Sequence, residues 1–103
     1  MTVKLNPENF AQLSSPGSLP LVIKFFATWC GPCKMFAPIY ESTAPLAEGK
    51  AVFAEADIDR FPELAEKFGV MSVPTVVLVR DGEPIKKQVG MMSANQLLAF
   101  IGE

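Results

Sequence analysis

The chain contains no histidine. That removes histidine as a general acid or base, the cysteine–histidine dyad and most catalytic zinc sites. Only two cysteines are present, Cys30 and Cys33, whereas a small secreted disulfide scaffold would carry more, spread along its length. There is no block of like charge, and the formal net charge is −2. A nucleic acid or an anionic membrane surface would want a clustered basic face, so neither is an expected partner. The apolar runs near Leu21 and Val76 are strand-length and too short to cross a bilayer. The opening residues, Met1-Thr2-Val3-Lys4-Leu5-Asn6-Pro7, hold no apolar core of the kind a secretory signal needs. The expected setting is therefore the cytoplasm, and the expected state a monomer.

What is present suits one folded unit. A length of 103 residues is enough for one domain and too little for two, so residues 1–103 are expected to form a single domain. Half of the residues are hydrophobic, sufficient for a core without disulfide staples. Asn6-Pro7 sets an N-cap and a helix-favouring proline ahead of a helix over 8–13. Residues 21–27 form a nearly continuous apolar run, as in a central strand covered on both faces, broken only by Lys24. A helical pattern follows Cys33 through Met35, Phe36, Ile39 and Tyr40 to about Leu46, with a kink expected at Pro38. Residues 51–57 alternate as a strand, and 62–68 read as a short helix ending at Gly69. A β-branched strand over 75–80 meets a second one, 84–89, across the hairpin signal Asp81-Gly82. Gly90 ends that strand. Ser93-Ala94-Asn95-Gln96 is a capping box for a last helix through Ile101. The order β-α-β-α-β-α-β-β-α predicts an α/β fold, a mixed sheet of about five strands flanked on both faces by about four helices.

Cys30 and Cys33 fall where a buried strand ends and a helix begins. The amides of a helix's first turn are unsatisfied and the helix dipole favours negative charge there, so Cys30 is expected to be the better nucleophile near neutral pH. Gly31 permits the turn between the cysteines, and Pro32 is expected at the first helical position. Cys30 is the expected exposed attacker and Cys33 the resolving thiol one turn deeper. A zinc half-site would need further ligands. A purely structural disulfide across so short a loop removes little chain entropy. Two unpaired core cysteines remain a third reading. A strand–CxxC–helix arrangement in a βαβ setting is the specific signal, and it points to redox chemistry.

Trp29-Cys30-Gly31-Pro32-Cys33-Lys34 resembles the active-site motif of the thioredoxin family without a change. Pro38 resembles that family's helix-kinking proline, Val73-Pro74-Thr75 its cis-proline segment and Gly90 its late glycine, with matching spacing over essentially the whole chain. The resemblance implies the thioredoxin fold and reduction of protein disulfides. It implies no bound cofactor, only a redox-active Cys30–Cys33 disulfide, recharged by a thioredoxin reductase that draws on NADPH. It also implies a substrate surface made of Trp29, Gly31, Pro32, Val73, Pro74, Gly90 and Met91. A substrate strand would pair with the backbone of Val73, and Met91 would offer an adaptable apolar contact. Trp29 could instead be a core aromatic, and Met91 and Met92 ordinary packing.

Five charged positions near this surface need a reading. Lys34 is read as a solvated charge, although it is close enough in sequence to tune the thiolate. Asp57 and Asp59 are read as turn and cap residues rather than a metal pair. Lys24 departs from the family, which carries a buried aspartate six residues before the first motif cysteine, with a lysine as its partner. Glu55 falls at that lysine's place, so the two charges have exchanged positions. A buried Lys24–Glu55 pair beneath the cysteines is expected if the strand of Glu55 lies beside residues 21–27. Lys24 would then favour the thiolate, and Glu55 could take the proton from Cys33 through a water. The alternative is that Lys24 snorkels to solvent and Glu55 is merely exposed. Within redox chemistry an oxidase or isomerase is the rival, disfavoured by Gly31-Pro32 and the missing export signal. A binding subunit without turnover is the rival of another class.

Overall fold

The computed structural model describes residues 2–102. Strand β1 (Val3–Lys4) leads into helix α1 (Pro7–Leu13). The Asn6 side chain accepts the Asn9 amide, and the Asn9 side chain accepts the Asn6 amide, both at 2.8 Å. This is a reciprocal capping box built from two asparagines. Strand β2 (Leu21–Phe26) follows, then helix α2 (Gly31–Thr43), which runs through Pro38. The helical pattern to Leu46 splits: α2 ends at Thr43 and a tighter 3-10 turn takes Ala44–Ala47. Pro45 contributes, since it has no amide to continue the ladder, while Ala44 itself keeps helical backbone at φ −52° and ψ −47°.

Strand β3 (Val52–Asp57), helix α3 (Pro62–Lys67), strands β4 (Thr75–Arg80) and β5 (Glu83–Val89), and helix α4 (Ala94–Gly102) complete the chain. At the hairpin, Asp81 and Gly82 both take positive φ, 53° and 81°, as a two-residue turn with matching twist requires. The expected box at α4 is present: the Gln96 side chain accepts the Ser93 amide at 2.8 Å, and the Ser93 hydroxyl accepts the Gln96 amide at 3.1 Å.

The five strands form one sheet in the order β1-β3-β2-β4-β5. Strands β1, β3 and β2 are parallel, and β4 and β5 run antiparallel to their neighbours. Leu21, Ile23, Phe25, Ala54, Ala56, Val77 and Val79 pack on one face with Phe10, Leu64 and Phe68 from α1 and α3. Val22, Phe53, Val76 and Leu78 pack on the other with Phe36, Tyr40, Leu97 and Ile101 from α2 and α4. Both faces of β2 are therefore covered, which is why its sequence reads as a continuous apolar run. Lys24 shares the side-chain parity of Val22 and so points toward α2. The end of β2 delivers the chain to Cys30, and β3 and the start of β4 converge at the same end of the sheet.

Candidate active site

Cys30 is the N-cap of α2, and its sulfur accepts the Cys33 amide at 3.2 Å. One of the helix's orphan amides is thus satisfied by the sulfur itself, an interaction that strengthens when the sulfur is charged. The Cys30 thiol also lies 3.7 Å from the carbonyl oxygen of Val73, toward which it can donate. Val73–Pro74 is a cis peptide bond, as the resemblance implied. Gly90 donates its amide to the Pro74 carbonyl at 2.8 Å. Its φ of 98° is one that a side chain would resist. That bond ties Gly90, the residue before Met91, to the Val73–Pro74 segment.

Three details of the cysteine turn differ from expectation. Cys30 is not an exposed thiol: its relative exposure is 5%, against 4% for Cys33. The Val73 segment packs against it, so burial does not separate the two residues. Pro32 is the second helical residue, because Gly31 already lies within α2. Gly31 has no positive φ, and a Cβ built there would meet nothing within 4 Å, so the turn does not require glycine. Its lack of a side chain leaves bare backbone next to the Cys30 sulfur. Gly31 and Pro32 are exposed and Pro74 is buried.

The two thiols differ in chemistry rather than in depth. Burial pushes the Cys33 thiol up to about 11, reinforced by its hydrogen bond with Cys30 and opposed by the Ala27 backbone and the Lys24 charge. Cys33 is therefore held protonated while Cys30 receives the helix amide. Around them Trp29 is 67% exposed and Met91 39%, which settles Trp29 as a surface aromatic. Its indole N–H donates to an Asp59 carboxylate oxygen at 2.7 Å. The Asp59 amide in turn donates to the Asp57 side chain at 2.9 Å, as a turn residue should. Met92 is buried against α4, so the Met91–Met92 pair divides between surface and core. Lys34 is exposed, in keeping with a solvated charge.

Lys24 is 2% exposed, and its ammonium lies 3.4 Å from a Glu55 carboxylate oxygen. The two residues are direct register partners on β2 and β3. The Lys24 ammonium also sits 5.1 Å from the Tyr40 ring centre and 5.3 Å from that of Phe26. Snorkelling to solvent is thereby ruled out. Lys24, Glu55, Cys33 and Lys34 line a common cleft of about 340 Å³, so the pair lies beneath the resolving position. Two partners escaped the sequence reading: Asp59 for Trp29, and the Tyr40 hydroxyl, which lies 2.9 Å from the Val22 carbonyl oxygen and 2.8 Å from that of Ala54. No spacing rule links residues 29 and 59, whereas a tyrosine in an apolar helix stripe does imply a polar partner.

The family model described as Thioredoxin matches residues 1–103. The chain is 37% identical over 102 residues to the thioredoxin of Alicyclobacillus acidocaldarius subsp. acidocaldarius, covering 99% of this chain and 96% of that one. It is 43% identical over 95 residues to the thioredoxin of Staphylococcus haemolyticus, covering 92% and 89%. Among solved structures, Malassezia sympodialis thioredoxin (Mala s 13) superposes with a TM-score of 0.88 at 32% identity, covering 99% of this chain and 89% of that one.

Proposed function

Since the chain belongs to the thioredoxin family of thiol–disulfide oxidoreductases, we propose that Cys30 attacks the disulfides of protein substrates and Cys33 resolves the product. The observation that carries this assignment is the helix amide directed at the Cys30 sulfur, with Cys33 held protonated behind it. In the first step the Cys30 thiolate attacks one substrate sulfur, a Cys30–substrate disulfide forms, and the other substrate sulfur leaves as a thiolate. In the second, Cys33 gives up its proton and attacks Cys30, the mixed disulfide breaks, and the second substrate sulfur leaves. Two electrons pass to the substrate, and the Cys30–Cys33 disulfide remains. Glu55, on the shared cleft, is the acceptor for the Cys33 proton through solvent.

The substrate lies extended against Val73, pairing with its backbone, with Trp29, Gly31, Pro32, Pro74, Gly90 and Met91 forming the rim. Thioredoxins carry no prosthetic group and work through the cysteine pair. In this chain the pair is recharged by a thioredoxin reductase supplied by NADPH, in the cytoplasm. The whole of residues 1–103 acts as one domain and as a monomer.

Mass spectrometry after mixing with an oxidised protein tests the assignment. Cys33→Ser accumulates a mixed disulfide on Cys30, and Cys30→Ser forms none and turns nothing over. Glu55→Gln keeps the first step and slows the second. A stable adduct on Cys33 in the Cys30→Ser protein would reverse the roles, and turnover by that variant would exclude them.

A further inference from the structure

We propose that the Lys24 ammonium is a positioning charge for the resolving step, lowering the cost of forming the Cys33 thiolate from across the cleft the two residues share. The inference rests on the assignment of Cys33 as resolving thiol, and it asks what makes that thiol usable. Cys33 is buried, so its charged form is penalised. A cation within reach is the simplest compensation.

Lys24 is placed for that role by the sheet. It interrupts an otherwise apolar central strand, where an unpaired ammonium would be costly. Glu55 fixes it at 3.4 Å from the neighbouring strand, and the Tyr40 and Phe26 rings hold it from the sides. The charged or titratable groups facing Cys33 come from few elements. Cys30 and Lys34 lie on or at the start of its own helix, Lys24 on β2 and Glu55 on β3. The other residues packed with Cys33 are Ala27, Phe26, Ile58 and Val73, all apolar. The Tyr40 phenol, pushed well above its usual range by burial, stays neutral. Of the two charges in the pair, Lys24 is the one whose field favours the Cys33 thiolate, while Glu55 serves as proton acceptor.

The chemistry balances without a further reagent. As Cys33 attacks, its S–H proton passes to the solvent of the cleft and Glu55, and negative charge gathers on the Cys33 sulfur. The Cys33–Cys30 bond forms, the Cys30–substrate bond breaks, and the departing substrate thiolate carries the charge out and takes a proton from water. Lys24 stabilises the charge at its starting point. It neither touches the substrate nor exchanges a proton.

The test separates charge from packing. Reduced full-length protein labelled at the cysteine β-carbons reports the titration of Cys30 and Cys33 individually by NMR. In Lys24→Met combined with Glu55→Gln, no orphan charge is left, so the fold persists. There the Cys33 titration moves to higher pH than in Glu55→Gln alone, which has lost the proton acceptor but keeps the Lys24 charge. Resolution of the mixed disulfide at pH 7 slows by a further factor of about three to ten relative to Glu55→Gln. Lys24→Arg keeps the titration close to wild type. Lys34→Met leaves it in place at 0.15 M salt, because that exposed charge is screened. A Cys33 titration that stays put, or moves down, between Glu55→Gln and the double variant overturns the proposal. Failure of the parent assignment shows elsewhere, as absence of the Cys30 adduct in Cys33→Ser, and leaves the titration measurement standing.

Discussion

Trp29 projects from the rim of the cysteine turn with two-thirds of its surface exposed, yet its indole N–H is bonded to Asp59. A large exposed aromatic with a satisfied polar end is an ordered platform rather than a loose side chain. Asp59→Ala should release it. Reduction of a protein disulfide then loses about fivefold in kcat/KM, equivalent to about 1 kcal/mol for one hydrogen bond. Reduction of a small aromatic disulfide stays near wild type, and Trp29 fluorescence anisotropy falls. Equal losses on both substrates would mean that Asp59 acts on the cysteines and not through Trp29. At this scale some features announce themselves in the sequence and others do not. Lys24 stands out because a charge in an apolar run demands a partner. The near-equal burial of Cys30 and Cys33 is invisible there, because Val73, which packs against Cys30, lies 43 residues away in the chain.

The elements are held to the sheet by polar contacts at their ends as much as by their apolar faces. Lys86 and Lys87 are consecutive on β5 and therefore point to opposite faces. The Lys86 ammonium donates to the Phe100 carbonyl of α4 at 2.9 Å. The Lys87 ammonium donates to the carbonyls of Phe68 and Gly69, just past α3, at 3.3 and 3.2 Å. Phe68 is the C-cap of α3, and its carbonyl lies at the negative end of that helix's dipole. Lys87→Met keeps the side chain's apolar stem and removes the charge, so it should lower stability by about 0.5–1 kcal/mol in denaturant melts, less at high salt. An unchanged midpoint, or a loss indifferent to salt, would assign the effect to the stem. These pins were not legible, since a lysine pair on an edge strand also serves simply to block aggregation. Helix starts were legible: the Asn6-Pro7 and Ser93–Gln96 signals are local chemistry and appear where they should. The end of α2 was misplaced because Pro38 lies within the helix while Pro45 helps to end it, and apolar periodicity continues past both.

The whole molecule gathers its chemistry at one end of the sheet. The close of β2, the loop after β3, the entry to β4 and the exit of β5 all arrive there, bringing Cys30, Asp59, Val73 and Gly90 together from four stretches of chain. This convergence follows from strand direction: parallel β2 and β3 end together, and antiparallel β4 starts, and β5 ends, at that same end of the sheet. Element order along the sequence does not give the strand order, and only the placement of β3 beside β2 brings Glu55 to Lys24. The same burial that makes the site also couples it to global stability. The Cys33 thiol is raised from 9.0 to about 11 in the folded chain, first by burial and next by its bond with Cys30. The native state therefore binds that proton more tightly than the unfolded state does. Below about pH 9 both states keep it, and the stabilising contribution is complete. Between about 9 and 11 the unfolded chain releases it first, so stability falls as pH rises, by at most about 1.4 kcal/mol per pH unit from this group. Above about 11 the contribution is gone. Melts of the reduced protein across this window, set against reduced Cys33→Ala, read the effect of this proton together with its coupling to Cys30. The wild-type curve should drop toward the variant's with rising pH, and the oxidised protein, which has no Cys33 proton to lose, should not show this component. Parallel curves for wild type and Cys33→Ala would mean that folding does not alter the Cys33 thiol, and would remove the reason for Lys24 to lie beneath it.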